Sequence, residues 1–336
     1  MSRSRPLIIG HRGAPGYCPE HSLASYELAL DLGVDAVEPD VVFTKDGVAV
    51  IRHENEIGST TDVADHPEFA SRRTTKRVDG SDHTGWFVED FTWEELAALR
   101  CRERLPKLRT RSADFDDRYP ILRLRTLLDL VATAGDREGR AIGVVLEIKH
   151  ATYFASLGYD VAALLAAELR SAGWDSGVRP LVIESFEQHI LQRMRDRGIR
   201  AHFIYLLEAE GSAHDLLAAQ GPDAPTYAEQ LTGAGLDRLA REVDGISLDK
   251  RLILDDPRGD DGVVAEAHRR GLDVYTWTCR PENAFLSPSF RRGTTDAAFG
   301  DWEGEWRRIA DAGVDGVFVD HPDLGVAFFG RSGADR

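Results

Sequence analysis

Cysteine is scarce in this chain: Cys18, Cys101 and Cys279 are the three among 336 residues, far apart, odd in number and without a Cys-x-x-Cys spacing. That excludes a full disulfide framework and a thiolate zinc site, and it suits a reducing compartment. Basic residues are also short, 41 Lys and Arg against 57 Asp and Glu, for a formal charge of −16. No stretch reaches the Lys and Arg density needed to track a nucleic-acid backbone, and anionic membrane surfaces are disfavoured too. Long apolar runs are missing as well. After Met1-Ser2-Arg3-Ser4-Arg5-Pro6 the apolar stretch stops within a few residues at Gly10-His11-Arg12, so neither a signal peptide nor a membrane span is expected, and the expected location is the cytoplasm. A phosphate ligand would need its positive potential built locally, from a few basic side chains, helix N-termini or a metal ion.

What is present is an ordinary soluble composition, 42% hydrophobic. Leu7 to Gly10 is a short apolar run, and Ser22 to Leu32, closed by Gly33, has helical periodicity. Ala36 to Thr44 and Val48 to His53, across Lys45-Asp46-Gly47, read as a strand and its hairpin partner. From about Gly58 to Tyr119 no clear periodicity appears, which predicts a functional insertion over one face, shaping a pocket. Then helices and strands alternate. Helices are expected around Leu124 to Ala134, Asp160 to Ala172, Gln188 to Arg197, before Gly235, over Asp260 to Arg270 and over Trp302 to Ala312; strands over 143–149, 180–186, 201–207, 245–250, 273–279 and 316–320. Eight apolar strands, the hairpin partner left aside, predict an α/β fold of the (β/α)8 TIM-barrel type with inserted segments, one domain over residues 1–336 with insertions at about 58–119 and 281–301.

In such a barrel the polar residues that end apolar strands lie at one mouth. Here these are His11-Arg12-Gly13, Glu38-x-Asp40, His53-Glu54 and Glu147-x-Lys149. Side chains two apart on a strand share a face, so Glu38 goes with Asp40 and Glu147 with Lys149. Three converging carboxylates would repel one another unless a hard divalent cation joined them, and oxygen ligands suit Mg²⁺ or Ca²⁺. Arg12 and Lys149 supply the positive centre for a phosphate. His11 and His53 suit general acid and base roles, worth about 10²–10⁴-fold in rate. Singly, each of these residues has an ordinary reading as a surface group or ion pair; their conjunction at strand ends carries the functional one.

In its order His11-Arg12-Gly13, Glu38-x-Asp40, His53, Glu147-x-Lys149 and Thr276-Trp277-Thr278, the chain resembles the glycerophosphodiester phosphodiesterases over roughly residues 7 to 328. Gly85-Trp86-Phe87 through Arg104-Leu105-Pro106, and Arg280-Pro281-Glu282-Asn283 through Val319-Asp320, resemble the insertions of the larger bacterial members. The resemblance implies a metal-dependent hydrolase that cleaves small glycerophosphodiesters, such as glycerophosphocholine or glycerophosphoethanolamine, to glycerol 3-phosphate and an alcohol. It implies metal ligands at Glu38, Asp40 and Glu147, an acid and base pair at His11 and His53, phosphate contacts at Arg12 and Lys149, and an aromatic beside the glycerol at Trp277. Cleavage through a cyclic phosphate and direct hydrolysis both suit these residues. A lysophospholipase D or sphingomyelinase D-like activity on lipids, and a catalytically silent phosphodiester-binding barrel, are the alternatives. The chain departs from the family pattern with Glu54 in place of Asp, Glu20-His21 in place of Glu-Asn, and Leu122-Arg123-Leu124-Arg125 in place of a Pro-Thr-Leu-Glu type sequence.

Other strand-end and loop residues have competing readings. Glu20 reads equally as a site residue or a helix-start acid. Glu184 reads as a cap for the following helix rather than a mouth residue, Lys250 as a contact to a distal phosphate, and Asp320-His321-Pro322 as a loop-fixing element.

Overall fold

The computed structural model describes residues 5–259 and 262–330. The Met1 to Ser4 part of the N-terminal reading, and the Asp260 and Asp261 start of one expected helix, lie outside them. Twelve strands follow in chain order: β1 (Leu7–His11), β2 (Ala36–Glu38), β3 (Asp40–Phe43), β4 (Ala49–Ile51), β5 (Thr74–Val78), β6 (Ser81–Gly85), β7 (Gly143–Ile148), β8 (Leu181–Ser185), β9 (His202–Leu207), β10 (Gly245–Asp249), β11 (Asp273–Cys279) and β12 (Gly316–Val319). Parallel pairing runs β2-β1-β12-β11-β10-β9-β8-β7-β3, and β2 also pairs with β7, which closes the ring. With β2 and β3 counted as one stave, this is an eight-staved (β/α)8 barrel, as expected.

The expected single strand over Ala36 to Thr44 is split by Pro39, whose ring removes a ladder N–H, so β2 pairs Ala36 with Gly143 while β3 resumes with Asp40 opposite Glu147. β4 turns back antiparallel on β3, Val41 opposite Ile51, and delivers His53 to the rim. Ser22 caps the first helix, Leu23–Asp31, by accepting from Ser25 N, and Asp160 caps Val161–Ser171 in the same way. The helical region before Gly235 resolves into His214–Gln220, Tyr227–Gln230 and Gly233–Leu239, the last running past Gly235.

Two cores form. The larger fills the space between staves and helices; the smaller, Ile9, Ala36, Val145, Ile204, Tyr275 and Phe318, packs inside the barrel, with Val182 and Trp277 against it. Strand side chains alternate, so the residues two beyond Ile9, Ala36, Val145, Val182, Tyr275 and Phe318 point inward at the C-terminal mouth: His11, Glu38, Glu147, Glu184, Trp277 and Asp320. The barrel's own apolar filling thus aims the polar residues.

The segment over 58–119 is not featureless. It holds an exposed hairpin, β5 and β6, turned at Asp79 (φ 46°) and Gly80 (φ 83°), and short helical turns. Two successive residues with positive φ are the Asp-Gly hairpin turn, a signal present in the sequence and overlooked there. Arg109 of this segment donates through Nε to Glu282 Oε1 at 2.9 Å, so it meets the 281–301 segment beside the mouth. Among the described residues no helix is long and apolar enough to cross a membrane.

Candidate active site

The first strand ends in a turn that only glycine permits. Arg12 is left-handed (φ 55°) and Gly13 follows at φ 91°, where a Cβ would lie 2.6 Å from the Ser25 carbonyl carbon and Oγ. Ser25 locks the turn, donating from Oγ to Arg12 O (3.1 Å) and accepting from Ala14 N (2.8 Å). Gly13→Ala is expected to cost more than about 2 kcal/mol, read as a lowered midpoint in urea unfolding, because strain and the clash add.

The turn aims Arg12 into the mouth. Its backbone N–H donates to Glu38 Oε2 (2.8 Å), Nη1 donates to Glu20 Oε2 (2.9 Å), and Nε lies 3.4 Å from Asp40 Oδ2. Glu20 also receives Arg104 from the 58–119 segment, Nε at 2.9 Å and Nη2 at 2.6 Å, and the same guanidinium reaches Glu54 Oε1 (2.8 Å) and Oε2 (2.5 Å). Glu20 is therefore a clamp on Arg12, and Glu54 keeps its place beside His53. The His21 departure is filled in kind: its imidazole, wholly buried, bridges Tyr26 Oη (2.8 Å) and Asp40 Oδ2 (2.9 Å).

Glu38, Glu147 and Glu184 each offer a carboxylate oxygen within 4.8 Å of the others, and all three are buried. The sequence reading of Glu184 as a helix cap is thus corrected: Val182 is packed against the interior cluster, so Glu184 faces the same way, and the helix Gln188–Asp196 starts without a side-chain cap. The same two-residue periodicity that was applied to Glu147 and Lys149 would have found it. Asp40 stands beside the cluster, in register with Glu147. Glu38 Oε1, Asp40 Oδ1 and Glu184 Oε2 are buried without a hydrogen-bond partner. Such oxygens are costly unless something binds them, so the donor set fits a hard divalent cation.

Electrostatics agree. Burial, then Asp40, push Glu38 well above the ordinary carboxylate range against Arg12; burial, then Glu147 and Asp40, do the same to Glu184. Burial raises Glu147 to about 8, with Asp40 adding and Lys149 opposing. Against its own burial, Asp40 is held well below the usual range by His53, Lys149, the His21 hydrogen bond and Arg12. Lys149 Nζ lies 2.7 Å from Glu147 Oε1 and 3.8 Å from Asp40 Oδ1.

Each of the two imidazoles has its Nδ1 on a carboxylate, His11 on Asp320 Oδ1 (2.6 Å) and His53 on Glu54 Oε1 (2.5 Å). An Nδ1–H donated to a carboxylate leaves Nε2 as the lone-pair nitrogen; that of His53 lies 3.3 Å from Lys149 Nζ. Burial and then Arg12 lower the His11 pKa to about 4 against Asp320, while burial, Arg12 and Lys149 lower that of His53 to about 3. Asp320 does more than fix a loop: its Oδ2 accepts from Arg109 Nη2 and Arg280 Nε, both at 2.6 Å. Lys250 is spoken for elsewhere, donating to Phe285 O (2.8 Å) and Glu305 Oε1 (2.5 Å), so it does not hold a distal phosphate.

His11, Arg12, Glu38, His53, Glu147, Lys149, Glu184 and Trp277 line one cavity of about 500 Å³ at the C-terminal mouth, and Asp40 backs it. Trp277 stands edge to face with Phe186 at 5.7 Å on its wall. His11, Arg12, Glu38, Asp40, His53, Glu147, Lys149 and Trp277 meet here and Lys250 does not; those missed are Glu184, Arg104, Arg109, Arg280 and Asp320 as the His11 partner.

A profile of the glycerophosphoryl diester phosphodiesterase family matches residues 11–324. The chain is 30% identical to glycerophosphodiester phosphodiesterase GDPD6 of Arabidopsis thaliana, over 95% of its own length and 85% of that protein's. It is 27% identical to a glycerophosphodiester phosphodiesterase of Treponema pallidum, over 98% and 93% of the two chains. A crystal structure of a Silicibacter pomeroyi protein assigned to the glycerophosphoryl diester phosphodiesterases superposes with TM-score 0.67 at 25% identity, covering 98% and 94%. An Oleispira antarctica phosphodiesterase, solved with its product sn-glycerol-3-phosphate, shares the fold with TM-score 0.64 at 19% identity, covering 97% and 98%.

Proposed function

The chain belongs to the glycerophosphoryl diester phosphodiesterase family, and from that premise we propose that it hydrolyses small glycerophosphodiesters, such as glycerophosphocholine or glycerophosphoethanolamine, to glycerol 3-phosphate and the free alcohol. As a family member it is a phosphodiester hydrolase. The observation that carries the finer reading is the meeting, in one cavity, of two carboxylate-held imidazoles with a buried acidic cluster and two cations, Arg12 and Lys149.

In this reading Glu38, Asp40 and Glu147 hold one divalent cation, Mg²⁺ or Ca²⁺, with Glu184 facing the same centre. The cation, when bound, neutralises charge on the phosphate oxygens and polarises the phosphorus. Arg12 supplies guanidinium charge, and Lys149 a point charge, to the phosphate oxygens. One imidazole Nε2 takes the proton from the attacking oxygen, whether the glycerol hydroxyl or water, and the other, entering the step protonated at Nε2 beside the anionic phosphate, gives that proton to the leaving alcohol oxygen, so the two imidazoles exchange protonation states. After the first transfer Asp320 or Glu54 faces an imidazolium and stabilises it. Trp277 gives the glycerol carbons an apolar wall.

The test is release of glycerol 3-phosphate from glycerophosphocholine by chelator-stripped protein, with Mg²⁺, Ca²⁺ and Mn²⁺ added back separately. Activity is expected only after add-back. Release that is as fast in chelator, or absent with every cation in folded protein, overturns the reading.

A further inference from the structure

The reacting groups occupy one side of the cavity; the other is built differently. Its wall comes from Glu187 after β8, Glu208 after β9, Tyr227, the aromatic face of Phe186 and the hairpin tip Asp79, which reaches across the mouth to His150 (2.5 Å). Asp79 also faces the wall's two histidines, His150 and, at 3.8 Å, His214; among the described residues none of Asp79, Glu187 and Glu208 forms an ion pair with a lysine or arginine. Glu187 is 4% exposed, and while its Oε2 accepts from the Thr152 N–H (2.8 Å) and hydroxyl, its Oε1 is buried with no partner.

Resting on the phosphodiesterase reading above, we propose that this wall is a subsite for a cationic alcohol group, so that the preferred substrates are zwitterionic diesters carrying an ammonium. The cavity has cations and carboxylates on different staves: Arg12 follows β1 and Arg280 follows β11, whereas Glu187 follows β8 and Glu208 follows β9, one and two staves on from Lys149 after β7, and Asp79 lines the same cavity. Carboxylates around an aromatic face are the chemistry that recognises a quaternary ammonium, and here Phe186 and Tyr227 stand among them. Burial and nearby carboxylates act on this wall. Tyr227 is pushed above its ordinary range by burial and then by Glu208, Asp215, Glu187 and Asp79; Glu187 is raised by burial, with Asp79 and Asp215 adding, and Glu208 by burial and Asp249. A bound ammonium relieves that repulsion, whereas a neutral polyol does not.

The experiment compares kcat/KM for glycerophosphocholine and glycerophosphoglycerol in the cation-loaded wild type, Glu208→Gln and Asp79→Asn, with tetramethylammonium as an inhibitor. The wild type is expected to favour the choline diester by about tenfold or more, Glu208→Gln to erase most of that ratio, Asp79→Asn to reduce it in part, and tetramethylammonium to inhibit competitively and less well in Glu208→Gln. Asp79 sits at a partly exposed hairpin tip, so its variant gives a reading should Glu208→Gln not fold. Equal rates on the two diesters with no competitive inhibition by tetramethylammonium would overturn the subsite and leave the phosphodiesterase reading standing. No hydrolysis of either diester would fell both.

Discussion

His11→Ala and His53→Ala are each expected to lower turnover of glycerophosphocholine by about 10²–10⁴-fold while KM moves little. Both imidazoles are neutral in the free protein at pH 7, since burial and Arg12 depress them, and each has a carboxylate on Nδ1 that fixes the tautomer and waits for the imidazolium. A group so poised contributes to the transition state far more than to the ground state. The double variant should fall only slightly below the worse single one, because the two act in one proton relay. Asp320→Asn is expected to lose less, about 10- to 100-fold, since the ring keeps its place but loses the charge that stabilises its protonated form. Steady-state kinetics on folded variants, checked by circular dichroism, decide it. Near-wild-type turnover in both single variants would refute the assignment.

Stripped of divalent cations, the protein should become less stable as pH rises from about 7 to about 9, above the range in which the depressed His11 and His53 act with the opposite sign, and added Mg²⁺ or Ca²⁺ should restore stability at the alkaline end. The sign follows from Glu147, whose pKa is raised from 4.5 to about 8 in the fold, first by burial. The native state then holds a proton that the unfolded chain has released; the resulting stability is complete below 4.5 and is lost as pH climbs through the folded value. Glu38 and Glu184 are raised likewise and act in the same direction. Asp40, depressed, loses its contribution only as pH falls below 3.8, outside this window. Each proton contributes a slope of up to about 1.4 kcal/mol per pH unit, so a loss on the order of a few kcal/mol is expected. Cation binding must expel these protons, so affinity should rise with pH. Melting curves across this range in chelator and in each cation, with proton release counted by calorimetry in two buffers, test both halves. Glu38→Gln and Glu184→Gln should each flatten the chelator curve and weaken the cation. A chelator curve already flat in the wild type, or unmoved by any cation, would remove the acidic cluster as a cation site.

The barrel was legible because its staves are apolar and its helices amphipathic, patterns that survive in one dimension. The reacting residues were legible for the same reason: His11, Glu38 and Glu147 are polar interruptions at the ends of apolar runs. What escaped were partners set by tertiary contact. Asp320 and His11 are 309 residues apart, and nothing local in either pairs them. Arg109 and Arg104 come from a segment whose periodicity is broken by short turns, so they looked like ordinary loop cations. Glu184 was missed for a different reason, since an acid just before a helix has a local explanation that competes with the strand's inward alternation. Lys250 erred in the opposite sense; a lysine ending a stave looks functional until Glu305, from a distant helix, is found against it.

Arg104 holds the partner of Arg12 in one hand and the partner of His53 in the other. In the proposed reaction, phosphate capture and proton transfer are thereby yoked through a single side chain that belongs to neither. The segment bearing it has two arms with unequal freedom to diverge. The stretch around Arg104 can change only together with Glu20 and Glu54, whereas the hairpin ending at Asp79 can be exchanged, lengthened or recharged without touching that yoke. A lineage could therefore inherit one reaction unaltered while retuning which alcohol it releases, and a hairpin graft between relatives should carry headgroup preference with it.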